Sequence, residues 1–192
     1  MHDAMVLVRH GQTEWSRTGR HTGRTDLALE PEGRHQAAGL AGLLGSWSFA
    51  QVLVSPLRRA TETAELAGLG AVAELEPDLM EWDYGSYEGM TTAEIRAGRP
   101  DWDLWRHGVE GGEAAAEVGR RADRVIARAR AVEGTTVCVA HGHLLRVLAA
   151  RWVGLPPFGG RLLVLAPAAV GALGYERATP VVTAWNLTAP PR

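Results

Sequence analysis

Two histidines follow apolar, strand-like runs in this 192-residue chain. The run 5–8 leads towards His10, and the run 137–140 leads into His141. In an open α/β sheet, ligands bind outside the carboxyl ends of the strands. Neighbouring strands lie about 4.8 Å apart, so adjacency of these two strands would let both imidazoles touch one phosphoryl group. The pattern indicates phosphate chemistry at this edge, provided that the strands are neighbours.

Arginines accumulate at the same expected edge of the sheet. Arg9 precedes the first histidine, and Arg58 and Arg59 fall in the first turn of a helix predicted after the strand at 51–54. Helix N-termini and guanidinium groups both attract anions. One histidine after a strand is more often structural, and one arginine pair usually lies on the surface. Three strand ends with compatible groups are poorly explained by coincidence, so we interpret them as one anion site.

An acid for the leaving oxygen of a phosphate ester is expected within the segment 79–89. Glu81, Asp83 and Glu88 are interleaved there with aromatic residues. Aromatic side chains can exclude water from a neighbouring carboxyl group, which suits a residue that transfers a proton. The spacing does not rank the three carboxylates, and each can instead be a charge on a solvated loop.

A metal site is the main competing use of His141 and His143, which are separated by one residue. Arginines around the proposed site oppose a divalent cation unless several carboxylates compensate. We therefore expect neither a metal nor another cofactor. The glycine-rich segment 68–73 matches a dinucleotide-binding pattern in its letters only, because it precedes a strand instead of opening a helix.

Composition excludes several other functions. All 20 basic side chains are arginine, so a P-loop lysine and a Schiff-base lysine are absent. The lone Cys138 excludes an intrachain disulfide, and its apolar neighbours predict a buried thiol. A net charge of −2 leaves no basic surplus for nucleic acid, and no apolar run is long enough to span a membrane. With no visible targeting signal, we expect one soluble, cytoplasmic domain over residues 1–192.

Helix-like and strand-like patterns alternate along the chain, which is typical of an α/β fold. The predicted strands are 4–9, 51–54, 71–75, 135–140, 170–175 and 181–186. The predicted helices are 31–44, 56–67, 92–97, 112–132 and 142–153. Continuous apolar runs suit strands that are covered by helices on both faces. We therefore expect a three-layer α/β/α fold with a mostly parallel central sheet, and we expect the tryptophan-rich segment 101–112 to cross its surface.

Ordered blocks of the sequence resemble a known family. They are Arg9-His10-Gly11-Gln12-Thr13-Glu14-Trp15, Gly23 with Asp26 and Leu29, Gly33 with Gln36-Ala37, Ser55-Pro56-Leu57-Arg58-Arg59-Ala60 with Thr63-Ala64, Glu81 with Gly85 and Glu88-Gly89, and Ala140-His141-Gly142. The set resembles the histidine phosphatase superfamily in its phosphoglycerate-mutase-like branch. Within that branch, the segments 15–23 and 81–92 are more similar to actinobacterial acid phosphatases and fungal sedoheptulose bisphosphatase.

The resemblance implies catalytic roles for five residues. His10 would be the nucleophile that becomes phosphorylated, and Glu81 would donate a proton to the leaving group. Arg9, Arg59 and His141 would bind the phosphoryl oxygens. Of the arginine pair, the second is preferred because the family's arginine precedes an alanine. Phosphoryl transfer needs mainly positioning and charge stabilisation, which two arginines and a cationic His141 would supply around a neutral nucleophile.

The resemblance also implies a set of substrate-binding positions. They are Thr13, Ser16, Thr22, Gly23, Tyr84 and Gly142. Ser16 stands where the wider family commonly has asparagine. Arg24, Arg106 and His107 are further candidates for contact with a second anionic group, and surface positions explain them equally well.

The expected function is a metal-independent phosphomonoesterase that acts on a small phosphorylated metabolite, such as a sugar phosphate or a phosphoglycerate-type ester. The alternatives are a phosphoglycerate mutase-type phosphotransferase and a non-catalytic phosphate-binding module. Similar mutases of the family carry a longer insertion after the Glu-Gly block, whereas here about 50 residues separate Gly89 from His141. The sequence indicates no nucleic-acid or membrane partner, and it leaves a homodimer open.

Overall fold

A six-stranded sheet runs through the computed structural model, which describes residues 3–189. The strands are β1 (Asp3–Arg9), β2 (Phe49–Val54), β3 (Ala73–Leu75), β4 (Thr135–Ala140), β5 (Val170–Glu176) and β6 (Thr179–Leu187). Their order across the sheet is β3-β2-β4-β1-β5-β6. The first four strands in this order are parallel, whereas β5 and β6 pair in the antiparallel sense.

Strand β1 is buried on both faces, as its unbroken apolar sequence predicts. Met5 and Leu7 belong to the core on one side of the sheet, and Val6 and Val8 belong to the core on the other side. Cys138 in β4 is also fully buried, and burial raises the pKa of its thiol to about 12. The predicted α/β fold with a mostly parallel sheet is confirmed.

Helices cover this sheet within residues 3–189. They are α1 (Glu14–Thr18), α2 (Pro31–Leu44), α3 (Arg58–Leu66), α4 (Thr92–Gly98), α5 (Leu104–His107), α6 (Ala115–Arg130) and α7 (Gly142–Trp152). Helix α2 has its predicted bounds, whereas α3 begins two residues later than predicted because the backbone of Leu57 is extended. Strand β3 is shorter than predicted because a 3₁₀ turn occupies Gly70–Val72.

The tryptophan-rich segment 101–112 does not simply cross the surface, which corrects the expectation from the sequence. Trp102 is buried in the core, and the rings of Trp105 and Trp82 meet edge to face with centroids 5.7 Å apart. Asp103 caps α5 by accepting two backbone hydrogen bonds. Burial of the large indole surfaces explains the difference, because it removes apolar area from water.

Two findings concern the described part of the chain. None of the helices within residues 3–189 is both long and apolar enough to cross a membrane. The expected single domain extends over residues 1–192, of which 1–2 and 190–192 lie outside the described residues.

The topology brings the chemistry-bearing segments to one edge of the sheet. Strands β1 and β4 are neighbours, with Arg9 in register with Ala140. Strand β2 pairs with the other side of β4, so α3 starts at the same edge. The expected adjacency of the two histidine-bearing strands is therefore confirmed.

Candidate active site

His10 follows β1 directly and is almost fully buried. Its Nδ1 lies 2.7 Å from the carbonyl oxygen of Gly11, which can only accept a hydrogen bond, so Nδ1 carries the ring proton. Burial, and then the charges of Arg59 and Arg9, hold the pKa of His10 well below 6.5. The ring is therefore neutral at neutral pH and keeps a lone pair on Nε2, as a nucleophile requires.

His141 follows β4, and its ring centroid lies 5.2 Å from that of His10. The Nε of Arg59 donates to Nδ1 of His141 over 3.1 Å, so the neutral ring carries its proton on Nε2, 2.7 Å from the hydroxyl oxygen of Ser55. Burial and the charge of Arg59 hold the pKa of His141 well below 6.5. Burial and the neighbouring arginines disfavour the protonated form of His141, which runs against the expectation of a cationic ring.

The side chain of Arg9 is held by the chain before β5. Its Nη1 donates to the carbonyl oxygen of Leu165 over 2.6 Å, and its buried Nε has no hydrogen-bond partner among residues 3–189. A Cβ atom on Gly142 would lie 3.2 Å from this Nε, so the glycine lets the start of α7 approach the guanidinium closely. Arg9 is therefore a preorganised cation against the first turn of a helix.

Arg59, and not its neighbour, reaches the two histidines. Its side chain is fully buried, and besides His141 it donates to backbone carbonyls of the loop 22–25. Arg58 is exposed and pairs with Glu62 over 2.7 Å. The placement agrees with the preference for Arg59 that the family resemblance implied.

Glu81 is the one of the three candidate carboxylates that lines the cavity. Its Oε1 accepts hydrogen bonds from the backbone N–H groups of Trp82 and Leu144, both at 2.9 Å, and its Oε2 accepts one from that of His143 at 3.0 Å. Two of these donors belong to the first turn of α7. The start of that helix therefore fixes the carboxylate at the cavity wall.

The other two carboxylates bind backbone away from the cavity wall. Asp83 accepts a hydrogen bond from the N–H of Gly85 at 2.9 Å. Glu88 accepts hydrogen bonds from the N–H groups of Gly23 and Thr25. The tertiary structure thus separates three acids that their spacing left unranked, and the one on the cavity wall is Glu81, to which the family resemblance gave the acid role.

A cavity at the carboxyl ends of β1 and β4 collects most of the predicted groups. The predicted site residues on its wall are Arg9, His10, Ser16, Thr22, Glu81, Tyr84 and Gly142. Arg59 and His141 are fully buried and are not part of this wall.

Further wall residues were not among the predicted catalytic and substrate-binding residues, although His143 was weighed as a metal ligand. They are Arg20, His21, His143, Arg146 and Leu165. Arg146 follows Gly142 and His143 by one helical turn on α7, so helical periodicity could have indicated it. Arg20 and His21 follow the short helix α1 without a comparable signal.

Thr13 and Gly23 lie outside the cavity wall. Thr13 is buried and caps α1, where its Oγ1 accepts the N–H of Ser16. The Ser16 hydroxyl donates back to the Thr13 carbonyl over 2.9 Å, so this hydroxyl is already used within α1. The N–H of Gly23 is bound to Glu88. Direct contact of either residue with a substrate stays a prediction.

Three candidates for a second anionic group also lie away from the wall. Arg24 is 3.7 Å from both Asp83 and Glu113. The guanidinium of Arg106 stacks over the ring of Phe158 at 5.9 Å. His107 accepts a hydrogen bond from a backbone N–H within its own helical turn.

The histidine pair that suggested a metal has other partners. Nδ1 of His143 lies 2.6 Å from the hydroxyl of Tyr84, whereas His141 binds Arg59 and Ser55. Within residues 3–189, no group of three or more histidine, cysteine, aspartate or glutamate side chains is placed to hold a metal ion.

Almost the whole chain matches one known protein family. The chain matches the family model of the histidine phosphatase superfamily (branch 1) over residues 5–188. It is a member of this superfamily. The resemblance that the sequence motifs indicated is therefore confirmed.

Two relatives of this chain are named as phosphatases. The chain is 42% identical over 192 residues to an acid phosphatase of Mycobacterium tuberculosis, which covers 98% of this chain and 94% of that protein. It is 37% identical over 182 residues to sedoheptulose 1,7-bisphosphatase of Saccharomyces cerevisiae, with 78% of this chain and 67% of that protein covered. The chain is thus a phosphatase of this superfamily.

Solved structures agree with the assignment. An open reading frame product of Mycobacterium tuberculosis superposes with a TM-score of 0.93 and 42% identity, over 97% of this chain and 98% of that one. Mycobacterial glucosyl-3-phosphoglycerate phosphatase, solved as a complex with VO3, superposes with a TM-score of 0.86 and 31% identity, over 96% and 98% of the two chains.

The buried histidines of this phosphatase predict how its stability depends on pH. In the folded state the pKa values of His10, His141 and His143 lie well below 6.5, whereas unfolding returns these rings to water. Their contribution to stability is therefore fully present above about pH 6.5 and is lost below it, by up to about 1.4 kcal/mol per pH unit for each ring. We expect calorimetry to show a thermal midpoint that is level near neutrality and falls below about pH 6.5.

The exposed His35 offers a matched control for this measurement. The variant His35→Gln should keep the wild-type dependence on pH, whereas His141→Gln should lower the slope by the share of one buried ring. A midpoint that stays constant or rises between about pH 6.5 and 5 would contradict the assignment of neutral, buried rings.

Proposed function

We propose that this phosphatase hydrolyses a small phosphorylated metabolite, a sugar phosphate or a phosphoglycerate-type ester, through a phosphohistidine on His10. The observation that carries the proposal is the hydrogen bond from Nδ1 of His10 to the Gly11 carbonyl, which leaves the Nε2 lone pair available. The cations Arg9 and Arg59 flank this ring and raise its preference for the neutral form. We expect the reaction to take place in the cytoplasm.

The first step is transfer of the phosphoryl group to the enzyme. The lone pair on Nε2 of His10 forms a bond to phosphorus while the bond to the leaving oxygen breaks. Protonated Glu81 gives its proton to that oxygen, so an alcohol departs. The Gly11 carbonyl holds the Nδ1 proton of His10 as the ring becomes positive. Arg9 and the buried charge of Arg59 offset the negative charge of the phosphoryl oxygens.

The second step is hydrolysis of the phosphohistidine. The Glu81 carboxylate takes a proton from water, whose oxygen bonds to phosphorus while the N–P bond breaks. Inorganic phosphate leaves, Glu81 is protonated again, and His10 regains its neutral ring. Oε2 of Glu81 accepts a single hydrogen bond within residues 3–189. A second lone pair on this oxygen is therefore available to bind the proton.

Two further cations on the wall support the proposed substrate class. Nε and Nη2 of Arg146 donate to the carbonyls of Gly160 and Arg161, and its guanidinium stacks over Trp105 at 4.8 Å. Arg20 is held by the carbonyl of Gly89 at 2.7 Å. Cations fixed in this way favour a metabolite with more than one anionic or polar group. The names of relatives, sedoheptulose 1,7-bisphosphatase and glucosyl-3-phosphoglycerate phosphatase, are consistent with such esters.

A substrate screen tests the proposal. Purified protein is assayed for release of inorganic phosphate from sugar monophosphates, sugar bisphosphates and phosphoglycerates, and the organic product is identified in parallel. Phosphate release from one of these classes supports the proposal. Accumulation of an isomeric phosphate ester without free phosphate would instead indicate a mutase, and binding without turnover would indicate a phosphate-binding module.

We expect the activity to be independent of metal ions. The reason is the arginine-rich surroundings of His10, which supply the positive charge that a metal would otherwise provide. Phosphatase activity is measured before and after dialysis against a chelator, and it should stay within about twofold. Loss of activity that zinc, magnesium or manganese restores would favour a metallohydrolase.

A further inference from the structure

The structure assigns to Glu88 the role of a positioning residue that orients Arg59 through the backbone of the loop 22–25. The inference rests on the proposed function, in which the charge of Arg59 serves phosphoryl transfer. It concerns a carboxylate that neither lines the cavity nor contacts the two histidines. Glu88 therefore acts on the reaction from outside the cavity.

Glu88 binds one side of this loop through its backbone N–H groups. Both carboxylate oxygens accept from the N–H of Gly23, at 2.9 and 3.0 Å, and Oε1 also accepts from the N–H of Thr25 at 3.1 Å. Hydrogen bonds to a charged acceptor are stronger than those between neutral groups. The carboxylate therefore fixes the orientation of two peptide groups in the loop.

Arg59 binds the same loop through its backbone carbonyls. Its Nη2 donates to the carbonyls of Thr22 and Gly23, at 3.3 and 2.9 Å, and its Nη1 donates to that of Thr25 at 2.9 Å. The loop thus lies between a carboxylate and a guanidinium, and its peptide dipoles connect the two charges. Movement of these carbonyls would move the guanidinium that they hold.

The orientation of Arg59 in turn sets the proton on His141. Nε of Arg59 donates to Nδ1 of His141 over 3.1 Å, which leaves the ring proton on Nε2. A guanidinium is planar, so a rotation that follows released carbonyls also misaligns its Nε–H. Removal of the Glu88 carboxylate should therefore disturb the hydrogen bond to His141. The effect passes through the hydrogen bonds between Glu88 and the loop 22–25 and then through those between the loop and Arg59.

Gly23 is required for this arrangement. A Cβ atom at position 23 would lie 2.6 Å from Oε2 of Glu88 and 2.6 Å from the carbonyl oxygen of Trp82. Only glycine therefore allows the carboxylate to reach the backbone N–H. This contact gives the glycine of the family-like motif a physical role that is separate from substrate contact.

Kinetics of matched variants test the inference. Glu88→Ala should lower kcat/KM for a hydrolysed ester about 10- to 100-fold, the scale of losing hydrogen bonds to a charged group. Glu88→Gln keeps an acceptor oxygen at Oε1 and should recover most of the loss. Asp83→Ala is the control, because Asp83 also binds a backbone N–H in the same segment. Asp83 faces the loop 22–25 through the side chain of Arg24, 3.7 Å away, and does not hold the backbone N–H groups that Glu88 binds. Thermal unfolding is recorded for each variant to confirm that it is folded.

A double-mutant cycle identifies the route of the effect. If Glu88 acts through Arg59, the double variant Glu88→Ala/Arg59→Ala should be no slower than Arg59→Ala alone, within about twofold. Losses that multiply would overturn the inference, because they would mean that Glu88 acts independently of Arg59. A Glu88→Ala variant as active as wild type would overturn it as well.

Imidazole ¹⁵N NMR provides a test that does not depend on turnover. Glu88→Ala should shift the Nδ1 resonance of His141, since its hydrogen bond from Arg59 is disturbed, and should leave that of the exposed His35 unchanged. An unchanged His141 resonance would overturn the inference. If wild type hydrolyses no phosphate ester, the proposed function fails, while this spectrum still decides whether Glu88 positions Arg59.

Discussion

Replacement of His10 by alanine is expected to lower phosphatase activity by about 10³-fold or more, because the residue supplies the attacking atom and not merely a contact. Its Nδ1 proton is bound by the Gly11 carbonyl, so Nε2 alone can attack. His141 cannot replace it, since its two ring nitrogens are bound to Arg59 and Ser55. The measurement is kcat on any ester that the wild-type enzyme hydrolyses.

Trapping of the intermediate makes this prediction specific. Wild-type enzyme mixed with phosphate-labelled substrate and quenched without acid should carry the label on His10. The His10→Ala protein should carry none, and His35→Ala, at an exposed position on α2, should be labelled like wild type. Label on another residue, or near-normal turnover by His10→Ala, would show that the mechanism is wrong.

Replacement of Glu81 by glutamine is expected to lower the rate of hydrolysis, and the loss should be larger for a poorer leaving group. General acid catalysis contributes about 10²–10⁴-fold, or roughly 3–5 kcal/mol of barrier. We expect Glu81→Gln to lose about this factor on a sugar phosphate, whose alkoxide must be protonated. It should keep far more activity on p-nitrophenyl phosphate, whose leaving oxygen needs little protonation. Glutamine keeps an acceptor oxygen for the N–H groups of Trp82 and Leu144.

The neighbouring carboxylates are the controls for this comparison. Asp83→Asn and Glu88→Gln should show no dependence on the leaving group, since both side chains bind backbone outside the cavity wall. Equal losses of Glu81→Gln on the two substrates would mean that Glu81 supports the pocket and does not donate a proton. A differential effect in either control would transfer the acid role to that residue.

Several residues of the site could be predicted because they lie at or directly after the ends of strands. Apolar runs identified β1 and β4 as buried strands, and the residues that follow such strands in an α/β sheet share one edge. Arg9, His10 and His141 were therefore found by position along the chain. The structure places them together through the parallel pairing of β1 with β4.

Other parts of the site depend on contacts between distant segments. Leu165 reaches the cavity from the chain before β5. Thr13, which the family resemblance placed at the substrate, has its hydroxyl oxygen in the cap of α1. Trp102 is buried although its segment looks like a surface crossing. Local patterns carry no information about such pairings, because they arise from packing between segments far apart in sequence.

The sequence by itself determined the fold class, the edge of the sheet where the site lies and the residue types that can carry phosphoryl transfer. Hydrophobic periodicity and turn position are local properties, so they can be read along the chain. The tertiary structure decided what spacing could not, that Glu81 faces the cavity while Glu88 holds the loop 22–25, and that burial lowers the pKa of His141. Protonation and the choice among neighbouring carboxylates depend on burial and on nearby charges, which exist only once the chain has folded.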